Sequence, residues 1–314
     1  MKKIIIALAA ALMTAGFVSA QDLATATETF NAGAEQLNMG DKVAAMASFQ
    51  EALSMAQSLG DEGAELVANC KKVLPGLALS IGKQFNNEKK FAEAIEKVQQ
   101  AAALAAEYGD EEVAAEAESL LPGLQVSEVL FAAENSFKTK DMPAAIAGYT
   151  KVLELDPNHA NAALRLVQCY SGTGDFDKAK EALEICKNLG KGNDATKVLG
   201  NAILGKANSL NKAKKFAEAY AAAQSAIEYL PDNANIYLIS GNAASKINKI
   251  GDAIKNFEKY LDLAPTAGNA GAIAYTVGAL YHQQGNKDKA LAAFKKAQGL
   301  GFAQAAEMVN ALSK

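Results

Sequence analysis

From Ala274 to Leu300 the chain reads AYTVGALYHQQGNKDKALAAFKKAQGL, and its apolar and small positions fall on two helical stripes. Val277, Gly278 and Tyr281 recur at i, i+1 and i+4 in the first run, and Ala290, Leu291, Phe294 and Ala297 do the same in the second. Gly285-Asn286 interrupts them, so the spacing predicts two amphipathic helices folded back as a hairpin. Small residues at Gly278 and Ala290 let the two axes approach, while Tyr281 and Phe294 fill the space beside that contact. A lone hairpin of this size leaves an apolar face uncovered, so it calls for neighbours of its own kind.

Those neighbours are present. Using the second-helix Ala as a ruler, the pattern recurs at Ala45, Ala94, Ala145, Ala179, Ala219, Ala253 and Ala290, at spacings of 49, 51, 34, 40, 34 and 37. A bulky or apolar residue follows four positions on (Phe49, Val98, Tyr149, Leu183, Ala223, Phe257, Phe294). A first-helix small or branched residue precedes it (Gly33, Gly82, Ala133, Val167, Ala207, Gly241, Gly278). Pro157, Pro231 and Pro265 stop three hairpins, since proline disfavours helix in the residue before it. The first two spacings carry a duplicated surplus: Leu59-Gly60-Asp61-Glu62 leads to Leu74-Pro75, and Tyr108-Gly109-Asp110-Glu111 leads to Leu121-Pro122. This predicts first helices lengthened at their N-terminal ends, kinked or restarted at Pro75 and Pro122. Phe302 to Leu312 is amphipathic again and predicts a last helix that covers the end of the stack.

The small residue, the aromatic three on, the turn and then Ala-x-x-x-Phe-x-x-Ala resemble the tetratricopeptide repeat, whose period is about 34 residues. The resemblance implies an all-α fold: a right-handed α-solenoid of about seven hairpins with a C-terminal capping helix, its first helices lining a concave groove. On that reading residues 21–156 hold hairpins with lengthened helices, 157–300 hold four regular ones, and 301–314 form the cap. Taken onto this chain, the family's concave positions give Leu164 and Gln168 in the fourth hairpin, Leu204, Asn208 and Lys212 in the fifth, Leu238, Asn242 and Lys246 in the sixth, and Tyr275 and His282 in the seventh. In the second and third hairpins they give Leu79, Lys83, Asn86 and Asn87, then Leu130, Glu134, Phe137 and Lys138. Some relatives clamp a C-terminal carboxylate with Lys or Arg where this chain has Leu204 and Leu238, a departure that weakens the carboxylate reading.

Composition narrows the function. Ala-rich and without Trp, the 314 residues favour closely packed helices over sheets. Residues 1–20 read as a cleaved leader: Lys2-Lys3, an apolar run from Ile4 to Val18, and Val18-Ser19-Ala20 before Gln21. That run is short of the roughly 20 residues a bilayer span needs. The expectation is an exported chain, periplasmic or secreted, with no stable membrane insertion. The formal charge is −4, or −6 once Lys2 and Lys3 leave, and no basic patch argues for nucleic acid. Cys70, Cys169 and Cys186 are an odd count for an oxidising compartment. A Cys169–Cys186 bond is conceivable on one hairpin, and buried thiols at helix interfaces are the better reading.

Candidate chemistry is sparse. Gly200 to Ala207 matches a phosphate loop except at Ala207, which stands in place of the magnesium-holding Ser or Thr, and it falls inside a predicted helix. His159 and His282, the two histidines, belong to no ligand cluster, His159 reading as a helix cap and His282 as a groove residue. The expectation is therefore no enzyme, no cofactor and no metal, and an exported scaffold that binds a protein or extended peptide and helps assemble an envelope complex. Two alternatives stand beside it: a self-associating structural component, and a glycan or small-ligand binder.

Overall fold

The computed structural model describes residues 19–313, and the expected leader up to Val18 lies outside them. The helices gather into two compact units, one ending at Phe131 and one beginning at Ala132. The first holds α1 (Ser19–Asn38), α2 (Lys42–Ser58), α3 (Ala64–Asn87), α4 (Phe91–Tyr108) and most of α5 (Glu111–Lys138). The second holds the end of α5, then α6 (Met142–Leu155), α7 (Ala160–Thr173), α8 (Phe176–Asn188), α9 (Gly192–Lys212) and α10 (Phe216–Tyr229). It continues with α11 (Ala234–Lys246), α12 (Ile250–Leu263), α13 (Ala270–Gln283), α14 (Lys287–Gly299) and α15 (Ala305–Leu312). Among the described residues there is no strand, and the fold is an all-α solenoid of stacked hairpins.

The seven ruler alanines from Ala45 to Ala290 are all completely buried, one at the heart of each hairpin. Their first-helix partners explain why. A methyl group added at Gly33, Gly241 or Gly278 would come within 3.1, 2.6 and 2.7 Å of the rings of Phe49, Phe257 and Phe294. Where the second helix instead carries the small Ala223, the first carries Ala207, and both are buried. At the three glycine contacts a ring on one helix fills the space left by bare backbone on the other, as close packing demands.

The duplicated surplus is helical. In the first unit Phe30 and Phe49 meet edge to face at 4.9 Å, and a 3-10 turn at Gly60–Gly63 then leads into α3. Gly63 lies so close to the carbonyl oxygen of Ala56 that a Cβ there would fall 2.0 Å away. Pro75 lies inside α3 and Pro122 inside α5, and each helix runs on without restarting, over 24 and 28 residues. In the second unit α9 is also long, with 21 residues, whereas α7, α11 and α13 have 14, 13 and 14. The glycine-rich run Gly200–Ala207 is interior helix of α9, where no loop can cradle a phosphate.

The turns between first and second helices each contain one residue in the left-handed region. It is Gly40, Gly174 or Gly285 in three of them, and Lys89, Lys140, Lys214 or Asn248 in the other four. A side chain there is disfavoured by about 1–2 kcal/mol. At the glycine turns the next residue caps the second helix through its side chain: Asp41, Asp175 and Asn286 accept from the amides of Ala44, Lys178 and Lys289 at 3.0, 3.3 and 3.1 Å.

Candidate functional site

Helix periodicity puts residues four and eight apart on one face. On α9 this aligns Leu204, Asn208 and Lys212, and on α11 it aligns Leu238, Asn242 and Lys246. On α7 the same register holds Leu164 and Gln168, then Gly172 in the lysine place. The three helices are neighbours, with α7 against α9 and α9 against α11, so the stripes lie side by side. Leu164, Leu204 and Leu238 are half-buried, as are Gln168 and Asn208, while Asn242, Lys212 and Lys246 are exposed. Part of Leu238 packs on the core shared by α11 to α14. Leu238 is thus anchored at its base and open above.

On α13 Tyr275 stands in the leucine place, three residues before Gly278, as Leu238 stands before Gly241. The Tyr275 ring lies 5.1 Å from Phe294 and 5.1 Å from Phe302, so its faces are taken up by packing. His282 is exposed near the end of α13, two turns on from Tyr275 and within about 20° of its line. Tyr281 beside it donates its hydroxyl to Glu258 at 2.8 Å, and burial, with this bond second, pushes that hydroxyl up to about 12. In the first unit the stripe closes: Leu79 is buried, and Lys83 pairs with Glu116 at 2.6 Å.

Near the start of the second unit the structure assembles a cluster that register alone does not show. Arg165 is the chain's one arginine and directly follows Leu164. Its Nε and Nη2 donate to the two carboxylate oxygens of Glu134 at 2.8 and 3.1 Å, its Nη1 donates to Gln168 Oε1 at 3.0 Å, and its guanidinium lies 4.7 Å from the Phe137 ring centre. A planar guanidinium satisfies a carboxylate fork and an aromatic face together, which a lysine cannot. Glu134, Phe137 and Gln168, named by register, are therefore tied together by a residue whose sole sequence signal is its rarity. Beneath them the Tyr149 hydroxyl is buried and unpaired, and burial, with Glu134 adding, holds it far above its ordinary range.

The remaining sequence candidates are structural. His159 caps α7, its Nδ1 accepting from the amide of Ala162 at 3.1 Å. Cys70, Cys169 and Cys186 are buried free thiols, each pushed up to about 11 by burial. A thiol so far from ionisation at neutral pH is a poor nucleophile. Among the described residues no group of three or more His, Cys, Asp and Glu is placed to hold a metal, and no helix is long and apolar enough to cross a membrane.

Two family models, both described as tetratricopeptide repeat, match the chain: one over residues 136–185, the other over 234–266 and 272–300. No curated protein matches. Among solved structures the chain is similar to the MamA protein at 25% identity, over 57% of this chain and 92% of that one, with a TM-score of 0.34. It is similar to a tetratricopeptide repeat protein from Parabacteroides merdae at 16% identity, over 94% and 100%, with a TM-score of 0.29. It is also similar to YrrB, described as a TPR protein with an unusual peptide-binding site, at 22% identity over 55% and 84%, with a TM-score of 0.31.

Proposed function

We propose that this tetratricopeptide-repeat chain is an exported, non-catalytic scaffold that holds a protein or an extended peptide along the first helices of its second unit and supports assembly of an envelope complex. The observation that carries the reading is the recurrence of one stripe on neighbouring helices: Leu164 with Gln168, Leu204 with Asn208 and Lys212, Leu238 with Asn242 and Lys246. Half-buried leucines give a bound chain apolar footing. An amide both donates and accepts, so Asn208 and Asn242 can serve a backbone whatever its side chains. Lys212 and Lys246 close the stripe with point charges suited to a carboxylate. Export rests on the leader pattern of residues 1–20.

The test replaces apolar footing with charge. Leu204→Asp with Leu238→Asp is expected to leave far-ultraviolet helicity intact and to abolish crosslinked capture of partners by the tagged chain in its native envelope. Capture equal to that of the unaltered chain sinks the assignment of the stripe.

A further inference from the structure

The charges of this chain are unevenly divided. Residues 19–131 hold 18 Asp and Glu against 7 Lys, whereas residues 132–314 hold 17 acids against 22 Lys and Arg. In the first unit much of the acidic excess sits at the two turns that lead from a second helix to the next first helix. Asp61, Glu62 and Glu65 surround the 3-10 turn, and Glu107, Glu111 and Glu112 surround the start of α5. All six are exposed, and none forms an ion pair among the described residues.

In the second unit the lysines gather at the other kind of turn, from first helix to second. Lys138, Lys140, Lys212, Lys214, Lys246 and Lys287 are exposed and form no ion pair among the described residues. Because successive helices of a hairpin stack run antiparallel, these turns share one edge of the unit. Most acids at that edge are engaged locally, while Asp288 beside Lys287 is exposed and makes no ion pair among the described residues. Asp141 and Asp175 cap helices, Asp252 accepts the Tyr220 hydroxyl at 2.8 Å, and Asp177 and Glu218 pair with Lys180 and Lys215. Lys140 and Lys214 moreover hold the left-handed turn position that glycine holds at Gly174 and Gly285.

We propose that this basic edge docks on the acidic turns of the first unit of a second copy, so that copies associate head to tail. The occupant is a second copy because the chain itself carries the complementary charge, on exposed carboxylates with no local cations paired to them. The two faces are different patches, so the contact is heterologous and propagates unless its rotation closes a ring. Exposed charges make it sensitive to salt. It does not depend on the leucine stripe, and the test leaves Lys212 and Lys246 in place.

Sedimentation equilibrium of the protein is expected to show concentration-dependent association whose constant falls by about tenfold or more between roughly 0.05 M and 0.5 M salt. Lys140→Glu with Lys214→Glu and Lys287→Glu is expected to abolish it, as is Glu62→Lys with Glu111→Lys and Glu112→Lys, and mixing the two variants is expected to restore association between them. Lys140→Gly with Lys214→Gly removes two charges while relieving the backbone, so it weakens association in a chain that folds at least as well. A monomer at both salts, association indifferent to salt or to these changes, or reversed variants that fail to combine while both remain helical overturns the proposal.

Discussion

A residue's register says which way it points, and its neighbours decide what it can do there. Cys169 and Cys186 are legible as helix-interface residues of one hairpin, and the structure leaves both, with Cys70, as buried free thiols. Burial favours the neutral form, so each thiol is held up to about 11 while the unfolded chain ionises near its ordinary value of 9.0. Below that ordinary value both states keep their protons and the thiols add no pH dependence. Above it the unfolded chain binds fewer protons than the folded one, so stability falls as pH rises through the interval towards 11. Urea titrations at a series of pH values are expected to show a flat plateau near neutrality and a decline from about pH 9, shallower in Cys169→Ala with Cys186→Ala. An unchanged slope in that variant would place the loss elsewhere. Arg165 shows the opposite case: its partner Glu134 lies 31 residues away, so repeat spacing marks Glu134, Phe137 and Gln168 and passes over the residue that joins them.

At the scale of the element, helices are easier to read than the turns that set their angles. The alanine ruler locates every second helix because a buried small residue at a fixed place in the period is a requirement of close contact. Pro75 and Pro122 predict kinks or restarts; neither helix restarts, each continuing through its proline, since the surrounding stack favours helix on either side. The turns divide in a way composition does not announce. Gly40, Gly174 and Gly285 take the left-handed position freely and hand over to a side-chain cap; Lys140 takes it under strain and is followed by the cap Asp141, while Lys89, Lys214 and Asn248 precede Lys90, Lys215 and Lys249, none of which makes a side-chain cap hydrogen bond. Replacing Lys214 by Gly is therefore expected to raise stability by about 0.5–1 kcal/mol, relief of the left-handed penalty less the extra chain entropy of glycine. Asn248→Gly should gain less, because asparagine tolerates that region. Chemical denaturation of each variant checks the order, and a loss of stability at Lys214→Gly would mean that its side chain makes a contact worth more than the strain.

For the whole molecule, a repeat stack communicates only through adjacent hairpins, and that makes its ends different from its middle. The C-terminal end is legible in the sequence: the amphipathic run Phe302 to Leu312 predicts a cover for the last hairpin, and α15 packs on α14 with Ala305 buried. What the sequence does not show is how Phe302 takes part: it is half-buried beside Tyr275, whose ring also meets Phe294, so one aromatic line runs from the segment before α15 to the middle of the last hairpin. Register alone assigns Tyr275 to a partner, because the period has no way of signalling a ring that arrives from beyond the final repeat. Phe302→Ala removes that ring and is expected to cost about 1–3 kcal/mol, below the value for a fully buried phenylalanine because Phe302 keeps some contact with water. The loss should also be local. Hydrogen exchange is expected to quicken in α13 and α14 first and to leave α7 to α10 unchanged, since neighbour coupling dilutes the effect at every step along the stack. Uniform quickening through the second unit would instead mean that its hairpins unfold as one cooperative body, and an unaltered rate in α13 would mean that the line of rings carries no stability.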